Sequence, residues 1–229
     1  MQDGGLRPGR HLLQARTGDE IVLLDLSRGE YILLDPVATA MWEALRSTAG
    51  VQEAAARLTT EFEDPDGTLM PDILQFRERC IALGLVDRGT RSLPPPKPAR
   101  TSRFPLLAAL RCLHRTARQL RREGFAHTYG RIMACAPAPH GRPEPGSIAL
   151  AEAAFSRAEN LFLARSAPDD CLPRSLALYA FLRTMGHPAE HRFGFLRYPF
   201  AAHAWVECAG RVILDEDRRD RLTPLLPVS

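Results

Sequence analysis

No stretch of this 229-residue chain approaches the ~18 consecutive apolar residues that a membrane-spanning helix requires. The N-terminal residues 1–10 are glycine-rich and polar, without the apolar core of a secretory signal. A cytoplasmic location and no membrane partner are therefore expected. The five cysteines, Cys80, Cys112, Cys135, Cys171 and Cys208, are odd in number, and no two stand at C-x-x-C spacing. That pattern argues against a disulfide framework and against a cysteine-rich zinc site. No G-x-x-x-x-G-K phosphate loop occurs, so no nucleotide cofactor is expected. Acidic residues are missing from one region: residues 88–122 hold ten Lys or Arg and no Asp or Glu, although the whole chain carries only +3. So small an excess gives no reason to expect a nucleic-acid partner.

What is present is ordinary for a globular protein, 45% apolar and 25% charged, and long enough for one large domain or two small ones. The run with Pro94, Pro95, Pro96 and Pro98 has little apolar content and favours extended, polyproline-like chain. It marks a basic linker over 88–103, between a domain at 1–87 and another at 104–229.

The first domain reads as a small antiparallel sheet followed by three helices. Residues 20–26 and 30–35 are rich in Ile, Val, Leu and Tyr, with Ser27, Arg28 and Gly29 as the turn between them. A short strand near 11–15 precedes them. Asp35 caps a helix that has Pro36 at its first position, and Gly50 stops it. A second helix carries Val51, Ala54, Leu58 and Phe62. A third starts near Pro71 and ends at Gly84, with Leu85 and Val86 as a short wing.

The second domain opens with an amphipathic helix over 106–122. Leu106, Leu107, Leu110, Leu113, Ala117 and Leu120 form its apolar side, and Arg111, Arg115, Arg118, Arg121 and Arg122 a solvated basic face. Helices over 147–165 and 171–185 follow, then strands near 189–198, 202–208 and 211–215.

Cys171 lies in the stretch Cys-Leu-Pro-Arg-Ser, and Pro173 favours the first turn of a helix. Free backbone N–H groups and the positive end of the helix dipole lower the pKa of a thiol placed there. The N–H of Leu172 is a candidate oxyanion donor. A thiolate nucleophile needs a base, and the base needs a group to orient it. His203, in His-Ala-Trp-Val-Glu, shares a strand face with Trp205 and Glu207, opposite Ala202, Ala204 and Val206. Trp205 there shields the site from water.

The third member depends on hairpin register. A three-residue loop of Cys208, Ala209 and Gly210 sets His203 opposite Asp215, whereas a two-residue loop sets it opposite Glu216. Gly210 suits the left-handed last position of the longer loop, which favours Asp215. His187, His191 and Cys208 are the nearest approach to a metal-ligand group, and no metal is expected.

These stretches resemble a transglutaminase-like peptidase and, more narrowly, the lasso-peptide biosynthesis B protein. Gly186-His187-Pro188-Ala189 and Pro199-Phe200-Ala201-Ala202 resemble it too. The N-terminal unit resembles the peptide-recognition domain fused to that peptidase. The resemblance implies an α+β protein, a winged-helix-like recognition domain followed by a transglutaminase/papain-like cysteine peptidase. It implies that the first domain grips the leader of a ribosomally made precursor peptide and the second removes it. A partner ATP-dependent cyclase then closes the ring. Cys171 is the implied nucleophile, His203 the general base and acid, and Asp215 the orienting acid. Strand addition along 30–35 would hold the leader, with Tyr31, Leu33, Ile73 and Arg77 as candidate contacts. Two other function classes fit the same residues: a non-catalytic delivery module, and a transglutaminase or amidase.

Overall fold

The computed structural model describes residues 5–62, 64, 67–87, 97–98, 104–136, 146–161, 171–215 and 221–228. The chain divides into two compact units, one of Met1–Arg91 with Leu225–Ser229 and the other of Ser92–Pro224.

In the first unit, β1 (Leu12–Thr17), β2 (Glu20–Asp25) and β3 (Glu30–Leu34) form an antiparallel meander. β2 is central and buried on both faces, as its run Ile-Val-Leu-Leu suggests. Asp25, itself buried, accepts the N–H and the hydroxyl of Ser27 at 2.7 and 2.6 Å and so fixes the β2–β3 turn. Helix α1 (Pro36–Ser47) starts where expected, with the Asp35 side chain accepting the Ala38 N–H at 2.8 Å. Thr39 ties this helix to the sheet: its hydroxyl accepts the Ile21 N–H and donates to the Leu34 carbonyl.

Trp42 and Leu45 are fully buried against α2 (Val51–Leu58) and α3 (Leu69–Ala82). Gly50 does not stop α1, which ends at Ser47; it is the N-cap of α2. The expected wing is a single bridge between Pro8 and Val86.

The tail was expected in the second domain, but Leu225–Ser229 groups with the first unit. There β10 (Leu226–Pro227) pairs with β1. A strand this short has no period of its own to read. Of the expected linker 88–103, only β4 (Lys97–Pro98) is described; it pairs in parallel with β5 (Cys135–Ala136). The rest lies outside the described residues.

In the second unit, α4 (Pro105–Met133) runs beyond the expected end at 122, with a left-handed break at Gly124 (φ 73°). Its arginines at 111, 115, 118, 121 and 122 are all exposed, as expected. Leu106 and Leu107, expected to face inward, are 36% and 49% exposed, because Ala108 and Ala109 take the inward positions of that turn. Helix α5 (Ser147–Leu161) follows, the remainder of its expected span lying outside the described residues.

Helix α6 (Cys171–Thr184) is apolar nearly all round, the pattern of a helix enclosed by its neighbours. Leu176, Phe181 and Leu182 are fully buried, and the helix packs on α4, α5 and the sheet. That antiparallel sheet has the order β8 (Arg211–Val212), β7 (Ala201–Cys208), β6 (Ala189–Leu196), β9 (Thr223–Pro224). Because α6 lies against β7, the buried stretch of the helix from Leu176 to Leu182 shares one core with Val206 and Cys208 of the strand.

The architecture is α+β, as expected. Among the described residues, no helix is long and apolar enough to cross a membrane. Phe181 meets Phe155 at 5.7 Å between ring centroids in the core behind α6. Phe181→Ala is expected to destabilise this unit by about 3–5 kcal/mol, read as a lower urea midpoint.

Candidate active site

Cys171 is the first residue of α6 and is partly exposed. The N–H groups of a helix's first turn, that of Leu172 among them, have no acceptor within the helix. They and the helix dipole favour negative charge at the sulfur. The sulfur is also hydrogen-bonded to the His203 side chain and to the backbone N–H of Ala204 on β7.

His203 Nε2 meets Asp215 Oδ2 at 2.5 Å. With Nε2 so engaged, Nδ1 is the nitrogen left for the sulfur. The three residues expected from the sequence therefore form one chain of contacts. Imidazole and carboxylate are both well shielded, 9% and 17% exposed.

The electrostatics follow from this geometry. Burial alone pushes the Cys171 thiol up. The hydrogen bonds from His203 and Ala204, with the charge on His203, outweigh burial and the repulsion from Asp215, so the thiol sits below its ordinary value. His203 is raised to about 9, chiefly by its hydrogen bond to Asp215 and then by that to Cys171, against the opposing pull of burial. Both shifts run toward the thiolate–imidazolium pair, and His203, raised to about 9, is protonated at neutral pH.

Asp215 reaches His203 by a different route from the one expected. The β7–β8 loop has two residues, Ala209 and Gly210, with φ of 51° and 79°, and Cys208 pairs with Arg211. The left-handed run that the longer loop needs once, this turn takes twice. Continued in that register, the ladder would bring position 216 opposite His203. The ladder stops instead: the last bond runs from the Ile213 N–H to the Val206 carbonyl, and Leu214 turns left-handed (φ 58°). The chain leaves the sheet there, and Asp215 meets the imidazole from outside the strand. Glu216 lies outside the described residues.

The alternation along β7 is also only half of what was expected. Ala204 and Val206 are buried, but so are His203 and Trp205, while Ala202 is exposed. Both faces of this strand are covered. The Trp205 ring lies nearly parallel to the imidazole, 6.4 Å between centroids, and its indole N–H donates to Glu207 at 2.9 Å. Gly194, paired with His203 across the β6–β7 ladder, makes this possible. A Cβ there would fall 2.9 Å from the Trp205 ring and from the Thr223 carbonyl. Gly194 carries no sequence motif, and only the register reveals it.

The other candidates fare differently. Tyr31 and Leu33 lie on β3, the edge strand of the first sheet, with Leu33 59% exposed. Arg77 is partly exposed on α3. Ile73 is fully buried in the first unit's core, so a peptide reaches it only by displacing that core. A groove missed by sequence reading is lined by Val37, Met41, Phe62, Leu69 and Asp72. His191 is partly buried and bonded to the Ser175 hydroxyl at 2.9 Å. Among the described residues, no group of His, Cys, Asp and Glu gathers to hold a metal.

Two outcomes follow from this geometry. His203→Ala removes the main causes that lower Cys171 and leaves burial to raise it. Alkylation of Cys171 by iodoacetamide at pH 7 should then slow by about tenfold or more, since one pKa unit is tenfold in thiolate at the low end of the titration. Gly194→Ala should cost about 1–3 kcal/mol in thermal stability, the usual range for forcing extra volume into a packed site.

A model of the transglutaminase-like superfamily matches residues 110–227, and one of coenzyme PQQ synthesis protein D (PqqD) matches residues 20–86. Among solved structures, "TbiB1 in Complex with the TbiA(beta) Leader Peptide" is 24% identical, covering 38% of this chain and 100% of that chain, with a TM-score of 0.34. No curated protein sequence matches. The chain belongs to the transglutaminase-like superfamily and carries a PqqD-like segment ahead of its transglutaminase-like domain.

Proposed function

We propose that this protein is a cysteine peptidase that removes the leader of a lasso-peptide precursor. The observation that carries the reading is the contact chain from Cys171 through His203 to Asp215 at the start of a helix. The thiolate attacks the scissile carbonyl, and the oxyanion is held by first-turn N–H groups such as that of Leu172. His203 gives its proton to the leaving amine, which frees the core peptide. Water then attacks the thioester, with His203 taking its proton, and the leader departs as a carboxylate. Asp215 keeps the imidazole oriented through both steps.

Leader recognition belongs to the PqqD-like segment. Strand β3 presents an edge with no further strand on its outer side among the described residues. An extended peptide adds to such an edge through main-chain hydrogen bonds. Tyr31 and Leu33 on this strand and Arg77 on α3 are the proposed contacts, and the groove at Val37, Met41, Phe62 and Leu69 offers an apolar pocket. A leader held on the same chain as the nucleophile meets it at high effective concentration. The freed core passes to an ATP-dependent cyclase. The superfamily match also suits an amidase or transglutaminase, in which an amine replaces water as acceptor.

The test uses purified protein and a short precursor peptide bearing an acidic residue inside its core, read by mass spectrometry. Cys171→Ala should lower leader release on the order of 10³-fold or more, while leader affinity measured by fluorescence anisotropy stays within error of the unsubstituted protein. Undiminished release by Cys171→Ala would overturn the assignment. Transfer to an added amine in preference to hydrolysis would favour the transglutaminase reading.

A further inference from the structure

Asp215 sits beyond the end of β8, two residues past the Ile213–Val206 ladder bond. It follows Leu214, a non-glycine residue in the left-handed region, a conformation that persists only when its surroundings enforce it. One contact to this turn comes from the helix that carries Cys171. Arg174 lies one turn after Cys171 on α6, and its Nη1 donates to the Leu214 carbonyl at 3.1 Å. The rest of the guanidinium is held by Glu159 on α5: Nε donates to Oε1 at 2.6 Å and Nη2 to Oε2 at 3.2 Å. All three donor nitrogens of the fork are engaged.

The Leu214 carbonyl belongs to the peptide unit that leads into Asp215. Fixing that oxygen fixes the plane from which the Asp215 backbone departs. The fork thus joins three elements: α5 through Glu159, α6 through Arg174, and the turn after β8 through Leu214. Two of these bear residues of the contact chain, the sulfur at one end and the carboxylate at the other. A lysine in place of Arg174 carries the same charge but lacks the planar, two-pronged geometry that engages both carboxylate oxygens while a third nitrogen serves the carbonyl.

We propose that Arg174, locked by Glu159, is a positioning residue for the orienting acid, holding the Leu214–Asp215 turn so that the carboxylate stays on His203. The proposal rests on the catalytic reading only for its importance to turnover, because the contact it describes is present without substrate.

The test is therefore made on the resting protein. The His203 ring is followed by NMR as pH is raised, its signal assigned by its loss in His203→Ala. In the unsubstituted protein the ring should titrate near 9. Asp215→Asn should bring it down toward the ordinary histidine value, and Arg174→Met should bring it down in the same direction by about a unit. Arg174→Lys should resemble Arg174→Met and fail to restore the high value. In the double variant Arg174→Met with Asp215→Asn, the ring should titrate no lower than in Asp215→Asn alone, because one residue acts through the other.

Glu159→Gln keeps the arginine and loosens its hold, so a smaller fall is expected; it decides the question should Arg174→Met fail to fold by circular dichroism. An unchanged titration in folded Arg174→Met, or in Glu159→Gln where the former is unfolded, overturns the proposal, as does a double variant in which the two effects add. A protein that cleaves no precursor yet shows these shifts refutes the peptidase reading and leaves the positioning role standing.

Discussion

The hydrogen bond between His203 and Asp215 is the contact on which the rest of the site depends. It does two things to the imidazole. It fixes which nitrogen faces the sulfur, and it makes the protonated ring the favoured form. The second effect favours ionisation of Cys171 in its partly buried position. Burial on its own would hold the thiol neutral, and the opposing carboxylate would reinforce that. A cation placed between sulfur and carboxylate reverses the balance. The helix start adds to it, since unbonded N–H groups and the dipole both favour negative charge there. Helix, strand and turn each contribute one group, and none of the three makes a thiolate alone.

Much of this was legible in the sequence, and the exceptions have identifiable causes. The capping pair Asp35–Pro36 and the Leu-Pro after Cys171 are local signals read by local rules, and both helices begin where those residues place them. Asp215 was named for the wrong reason. The glycine at 210 suggested one left-handed residue and a three-residue loop, whereas Ala209 also adopts positive φ and shortens the loop to two. The carboxylate was recovered by a second departure at Leu214, a conformation that leucine gives no reason to anticipate. Tertiary contact enforces it, and contact across some 40 residues of sequence, from Arg174 to Leu214, is invisible to periodicity.

The same limit explains Gly194 and β7. A strand whose two faces are both covered has no clean alternation, so the burial of His203 and Trp205 could not be read from Ala202, Ala204 and Val206. Trp205 needs room across the ladder, and the room exists only because its cross-strand neighbourhood lacks a Cβ. In the first unit the error ran the other way. Ile73 lay on the right helix for a peptide groove, but helical period alone does not separate the residue that lines a groove from the one that packs beneath it.

The family match and the site constrain different things. Membership in the superfamily rests on the match over residues 110–227, whereas the contacts among Cys171, His203 and Asp215 are read from the structure itself. In the proposed reaction, water and an amine attack the same thioester and lose a proton to the same imidazole. The discriminating physics lies in what the acceptor meets on its way in. Trp205 is buried beside the imidazole with its N–H satisfied by Glu207, so it offers an incoming amine no hydrogen bond. Water needs no recognition, being present at tens of molar, whereas an amine acceptor has to be bound to compete with it. In the proposed reaction the buried Trp205, its N–H already given to Glu207, therefore gives an amine no advantage over water on that side of the base.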